Sequence, residues 1–165
     1  MMIENHFKQN FKELSWQTFR DRELWTLDVN DVFMVNLHSL QKLWQSFHKF
    51  DKGWMDLNDV KHLLFTAIPD FKVPHKTIIK CFGMSKMTNE NAGYSRAKET
   101  RLLFVEFLEF IGRLAVDYWR IMEYEEYPLS NKIEFILDQI LPVVGATRNP
   151  VIQQVMSESE SDDDY

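Results

Sequence analysis

Side chains that could act as nucleophiles, acids or bases are scattered along this chain. The single cysteine, Cys81, has no histidine–aspartate arrangement around it that would activate the thiol, and we interpret it as a small core residue. The five histidines lack the spacings of zinc ligands, and the five glycines form no phosphate-binding loop. No two carboxylates stand out as an acid and a base in opposed environments. We therefore expect a protein that is not an enzyme.

The last nine residues, SESESDDDY, carry a modification motif. Ser157, Ser159 and Ser161 each have an acidic residue three positions later, a spacing typical of sites for acid-directed protein kinases. Phosphorylation would add about 1.5–2 negative charges at each serine. The composition predicts a disordered tail, and a purely solubilising role is the alternative.

The remaining composition is that of an intracellular, soluble chain. Of the 165 residues, 45% are apolar and 14% aromatic, enough for a core with large buried anchors. The formal net charge is −6, and the acidic tail accounts for most of it. The nearly neutral body lacks the basic face that binds nucleic acid. The polar N-terminus and the lack of a long apolar stretch predict neither a signal peptide nor a membrane span.

Two helices joined by a tight turn are predicted over residues 40–65. Apolar residues recur at three- and four-residue spacing in the first helix, which gives one apolar stripe: Leu40, Leu43, Trp44, Phe47 and Phe50. Gly53 permits a sharp backbone turn. Asp56 is predicted to cap the second helix, whose apolar face carries Val60, Leu63 and Leu64.

Other helices are predicted on both sides of this pair. We expect an amphipathic helix within residues 3–20, and one long helix from Val32 to the turn. A further helix starts at Pro74, with Ile78, Ile79 and Phe82 on its apolar face. Residues 85–100 are polar and predict a loop. A strongly apolar segment follows, and a last helix is predicted after Ser130.

The turn around Gly53 resembles the calcium-binding loop of the EF-hand (calmodulin-like) superfamily. With Gly53 at the sixth of twelve loop positions, Met55 takes the apolar eighth position, Asp56 the ninth and Asp59 the twelfth. Residues equivalent to positions three to five are then missing. Two side-chain ligands are therefore lost, whereas calcium requires six to eight oxygens.

Residues 102–108 resemble the end of a second such loop. Leu102 falls at the apolar eighth position and Glu106 at the twelfth, but Ala97 stands where a ligand is required. In this family loops pair through their eighth-position residues, so the resemblance implies an antiparallel contact between Met55 and Leu102. Glu106 is expected to be a solvated or capping carboxylate.

The resemblance implies an all-α fold of paired EF-hand-like helix–loop–helix units with flanking N- and C-terminal helices. We divide the chain into an N-terminal helix and link, the degenerate pair, a C-terminal helix and an acidic tail, at residues 1–30, 31–121, 122–148 and 149–165. No cofactor is expected, with calcium as the alternative. The weak candidates for metal ligands are Asp51, Asp56, Asp59 and Glu106.

By the same resemblance, the chain is expected to be a non-enzymatic adaptor like a light chain, binding an amphipathic partner helix without calcium. The candidate groove or core residues are Trp44, Phe47, Phe50, Leu64, Phe104, Phe107, Leu108 and Phe110. Three alternatives remain open. The chain is a calcium sensor with atypical loops, or a fixed component of a cytoskeletal, ciliary or flagellar assembly with a partner such as tubulin. Absence of the Met55–Leu102 contact would leave a plain helical bundle.

Overall fold

The structure, a computed structural model, describes residues 17–48, 52–86, 101–121 and 126–152. These ranges are mainly helical, which confirms the predicted all-α class. The helices are α1 (Leu27–Val35), α2 (Leu37–Phe47), α3 (Leu57–Ala67), α4 (His75–Met84), α5 (Phe104–Ile121) and α6 (Leu129–Ile140). A π-helical turn, Arg20–Leu24, precedes α1, and a 3₁₀ turn, Leu141–Val144, follows α6.

The predicted long helix from Val32 to the turn is wrong, because it is divided at Asn36. The Asn36 side-chain amide donates to Val32 O at 2.8 Å, and its side-chain oxygen accepts a hydrogen bond from the Asn149 N–H at 2.7 Å. Asn side chains compete with the helical backbone in this way. Asn36 therefore separates α1 from α2. Its contact with Asn149 also fixes the C-terminal part of the described chain beside the junction of the two helices.

Helix α5 is the centre of the core. It packs against α2, α4 and α6. Its fully buried side chains include Phe107, Phe110 and Leu114. Gly112 allows the π-helical turn to approach α5 closely, because a β-carbon at this position would collide with the side chain of Leu24.

Helix α6 closes the other side of the core. Four of its apolar side chains, at the three- and four-residue spacing of one helical face, are buried: Ile133, Ile136, Leu137 and Ile140. It packs against α1, α3 and α5. The left-handed backbone of Gly145, with φ of 71°, ends the 3₁₀ turn.

The chain beyond Gly145 returns along α6. Arg148 donates from Nε to Asp138 Oδ1 at 2.9 Å and also pairs with Glu134. These ion pairs and the Asn36–Asn149 contacts hold residues 145–152 in place without regular secondary structure.

Two predictions for α4 have different outcomes. The helix begins after Pro74 as expected, and Ile78 and Phe82 are buried. Ile79 is 50% exposed, so its place on the apolar face was wrong. Of the other predicted segments, residues 1–16 of the N-terminal helix, residues 87–100 of the loop and residues 153–165 of the tail lie outside the described ranges.

Candidate functional site

The α2–α3 turn and the chain entering α5 are joined by one antiparallel bridge. The Met55 N–H donates to Leu102 O at 3.0 Å, and the Leu102 N–H donates to Met55 O at 2.7 Å. Both side chains are fully buried. The contact predicted between these two residues is therefore present, and it connects the segment that enters α3 with the segment that enters α5.

A reciprocal pair of hydrogen bonds follows the bridge in the first segment. Asp56 Oδ1 accepts from the Asp59 N–H at 2.8 Å, and Asp59 Oδ2 accepts from the Asp56 N–H at 2.9 Å. This arrangement is a capping box, which satisfies backbone donors that have no partner at a helix N-terminus. It confirms Asp56 as the cap of α3.

The second segment repeats half of this arrangement. Glu106 Oε1 accepts from the Leu103 N–H at 2.9 Å. In each segment, the residue after the bridge donates to a carboxylate three positions later. Glu106 is buried, so of its two predicted roles the capping one is confirmed and the solvated one is wrong. Both carboxylates thus bind their own helix N-termini.

An ammonium group lies against the carboxylates of the first segment. Lys52 Nζ is 2.8 Å from Asp59 Oδ2 and 3.4 Å from Asp56 Oδ2. It also lies 4.0 Å from the centre of the Trp54 ring, a cation–π contact. The Arg101 guanidinium approaches the same ring at 4.6 Å, so residues from both segments meet at Trp54.

The titration behaviour of this cluster follows from its contacts. Burial alone would lower the pKa of Lys52, but hydrogen bonding and charge from Asp59, together with Asp56, outweigh it and raise the pKa. Burial alone would raise the pKa of Asp56. The hydrogen bond from the Asp59 N–H and the charge of Lys52 outweigh that effect and lower it. Lys52 and Asp56 are therefore held in their charged forms at neutral pH.

Of the predicted metal candidates, the structure brings Asp56 and Asp59 together, while Asp51 lies outside the described residues. Over the four described ranges, no group of three or more histidine, cysteine, aspartate or glutamate residues is arranged to hold a metal ion. The Asp59 carboxylate already has an ammonium and a backbone N–H as partners. Both partners contact Oδ2, so a cation that binds this oxygen would have to compete with Lys52.

Most of the predicted partner-binding residues are core residues in this structure. Six of the eight are buried: Trp44, Phe47, Leu64, Phe107, Leu108 and Phe110. Phe104 is half-buried, with its ring centre 5.9 Å from that of Trp44, and Phe50 lies outside the described residues. These six side chains are buried within the described part of the chain and do not form an open groove in this structure.

Sequence reasoning missed a buried charge cluster on α5. Glu109 is fully buried and accepts hydrogen bonds from Arg20 Nε at 2.6 Å, Arg20 Nη2 at 3.0 Å and Arg113 Nε at 3.1 Å. Arg20 Nη2 also donates to Lys86 O at 2.9 Å. A buried carboxylate requires such partners. The i,i+4 pair Glu109–Arg113 inside an apolar helix was the available signal.

Cys81 has the environment of an inert thiol. It is buried and donates a hydrogen bond to Asp117 Oδ2 at 3.3 Å. Burial raises the pKa of the Cys81 thiol, and the Asp117 carboxylate raises it further. The thiolate is therefore scarce at neutral pH, in agreement with the interpretation of Cys81 as a core residue.

Comparison of the chain with protein-family models, with curated proteins and with solved structures finds no match. Within the described part of the chain, no helix combines the length and apolar character needed to cross a membrane. Interpretation of the site therefore depends on its own geometry.

Proposed function

We propose that this chain is a non-enzymatic, EF-hand-like interaction module that works without calcium. The observation that carries the proposal is the Met55–Leu102 bridge, followed in each segment by a carboxylate that accepts from the residue after the bridge. In two paired EF-hand loops, the residues at the eighth positions would form such a bridge, and the residues at the twelfth positions would supply such carboxylates. One shared geometry at two sites far apart in sequence supports a common origin for both turns.

Independence from calcium is supported by the partners of these carboxylates. Calcium binds six to eight oxygens, including a bidentate carboxylate at the twelfth position. Here Asp59 binds the Lys52 ammonium and Glu106 binds a backbone N–H. Lys52 thus supplies, from within the chain, positive charge that an ion would otherwise provide.

A partner helix is not required to cover the core, because α6 does so. The four buried apolar side chains of α6 contribute about 6–12 kcal/mol of burial free energy together, as an upper estimate. To occupy this position, a partner helix would have to displace α6, which belongs to the same chain, and bury an equivalent apolar area. We therefore propose that the two segments joined by the Met55–Leu102 bridge remain packed against α6. A partner would then bind to residues on the outer surface of the protein. A cytoplasmic, cytoskeletal or ciliary partner follows from the resemblance alone.

Calcium titration of the full chain tests the proposal. We expect no heat of binding by calorimetry and no change in tryptophan fluorescence up to millimolar calcium, with Trp54 as the reporter next to Lys52. A parallel titration with magnesium and a chelator blank is the control. Binding at micromolar calcium would instead identify a sensor and refute the ion-free module.

A further inference from the structure

Helix α4 has an outward face that combines lysines with exposed apolar groups. We define this lysine face by Phe65 on α3 and by five residues on and just before α4: Lys72, His75, Lys76, Ile79 and Lys80. Phe65 is 38% exposed and Ile79 50% exposed. The rings of Phe65 and His75 lie 5.5 Å apart, which joins the two helices into one surface.

This surface is locally basic in an acidic protein. Between Val60 and Lys86 the sequence has five lysines and one acidic residue, the exposed Asp70 in the α3–α4 connection, while the whole chain is −6. Lys72, Lys76 and Lys80 form no ion pair with any residue in the described ranges. Their charges face solvent.

These lysines do not serve the stability of α4. Lys76 lies in the first turn, where the helix dipole disfavours positive charge, and that turn contains no acidic residue. Lys76 and Lys80 are four residues apart, a spacing at which like charges on a helix repel by a few tenths of a kcal/mol. An anionic occupant would remove both penalties.

We propose that the chain's own acidic tail, residues 157–165, docks on the lysine face. The tail has five carboxylates in nine residues and ends in Tyr165, so its acidic and aromatic groups complement the lysines and the exposed Phe65 and Ile79. This inference goes beyond the proposed function and does not depend on how the turns are classified.

The tail is long compared with the body of the protein. The described chain ends at Ile152, held near the α1–α2 junction by Asn149. The first tail carboxylate, Glu158, is six residues further and Asp164 is twelve, which corresponds to about 20 and 40 Å of extended chain. A body of this size has a radius of gyration of about 15 Å. The tail can therefore reach neighbouring faces of the molecule.

Phosphorylation would strengthen the contact. Each phosphate at Ser157, Ser159 or Ser161 adds about 1.5–2 negative charges. The phosphorylated tail would then cover the lysine face more completely. An unmodified tail would leave that face more accessible to acidic segments of other proteins. In this proposal, phosphorylation of the motif sets how strongly the tail binds the lysine face.

A spin label on the tail of the full chain tests the proposal. Ser161→Cys provides the attachment site, because the native Cys81 is buried. Labelled wild-type chain, in which Cys81 is the sole thiol, measures unwanted labelling. In NMR spectra we expect strong paramagnetic broadening of amides from His75 to Lys80, at least threefold stronger than in a chain whose lysine face carries reversed charges.

Charge variants separate docking from chance encounters. The broadening should be lost in K72E/K76E/K80E, whose helix content is checked by circular dichroism, and should persist in K42E, a matched change at an exposed lysine of α2. It should fall in 1 M salt, where the screening length is about 3 Å. Broadening of the His75–Lys80 amides that is unchanged by the triple reversal would overturn tail docking.

Discussion

Replacement of Lys52 by methionine tests whether an internal ammonium stabilises the first turn. Methionine keeps an unbranched apolar stem of similar length but removes the charge. The variant leaves Asp59, which is 2% exposed, with its backbone N–H partner but without the ammonium at 2.8 Å. The Lys52 side chain is itself 17% exposed, so water screens the pair only in part.

The expected loss of stability is about 2 kcal/mol. Hydrogen bonds to charged groups contribute about 1.5–3 kcal/mol, and unpairing a buried charge costs about 3–5 kcal/mol when it is fully desolvated. We take a value near the lower end because both partners lie at a surface turn. For a domain of 150–250 residues, this loss corresponds to a fall of about 4–8 °C in Tm.

Urea unfolding followed by circular dichroism measures the effect, with Lys42→Met on the exposed face of α2 as the matched control. The control should change stability by less than about 0.5 kcal/mol. In a double-mutant cycle, Asp59→Asn should make the Lys52 change nearly neutral, because the asparagine oxygen can still accept from the Asp56 N–H without carrying a charge. A loss in Lys52→Met no greater than in the control would refute the role of the ammonium.

Four further outcomes are expected. Wild-type stability should fall above pH 10.5, because Lys52 loses its proton as the pH passes its raised pKa. It should also fall below pH 3.8, because Asp56 gains a proton as the pH passes its lowered pKa. Urea midpoints across pH measure both effects, with Lys52→Met as the comparison at the alkaline end. Glu109→Ala should destabilise by about 3–5 kcal/mol because it removes the buried carboxylate to which two buried guanidinium groups donate, and an unchanged urea midpoint would contradict this. Ile136→Ala on α6 should cost about 2–5 kcal/mol in the same assay, and a smaller loss would mean that α6 is not part of the core. Cys81 should react with a thiol reagent only at the rate of unfolding, and prompt reaction in native buffer would refute its burial.

The parts of the fold that the sequence predicted depend on local chemistry. Asp56 caps α3 because a short acidic side chain before an apolar helical stripe accepts backbone N–H groups. For such a cap the neighbouring residues contain the necessary information. The Met55–Leu102 contact, by contrast, joins distant parts of the sequence and was predicted from the family resemblance.

The parts that were missed depend on partners far away in sequence. Asn36 divides α1 from α2 while it binds Asn149, which is more than one hundred residues later. Glu109 is tolerated inside α5 because Arg20, on the π-helical turn, reaches it. The helical spacing of apolar residues predicts neither of these two contacts. The same limit explains the groove prediction, since a stripe of aromatic residues looks alike whether a partner or another helix of the chain covers it.

In the proposed module, burial of the core determines where a partner can bind. If the core remained open, the aromatic residues Trp44 and Phe107 would form the interaction surface, and calcium would be expected to control access to it. In this structure both rings are buried, and the Lys52 ammonium contacts the carboxylates of the first turn. We therefore propose that partner binding is controlled by charge on the outer surface, where the lysine face of α4 and the phosphorylation motif of the tail carry opposite signs.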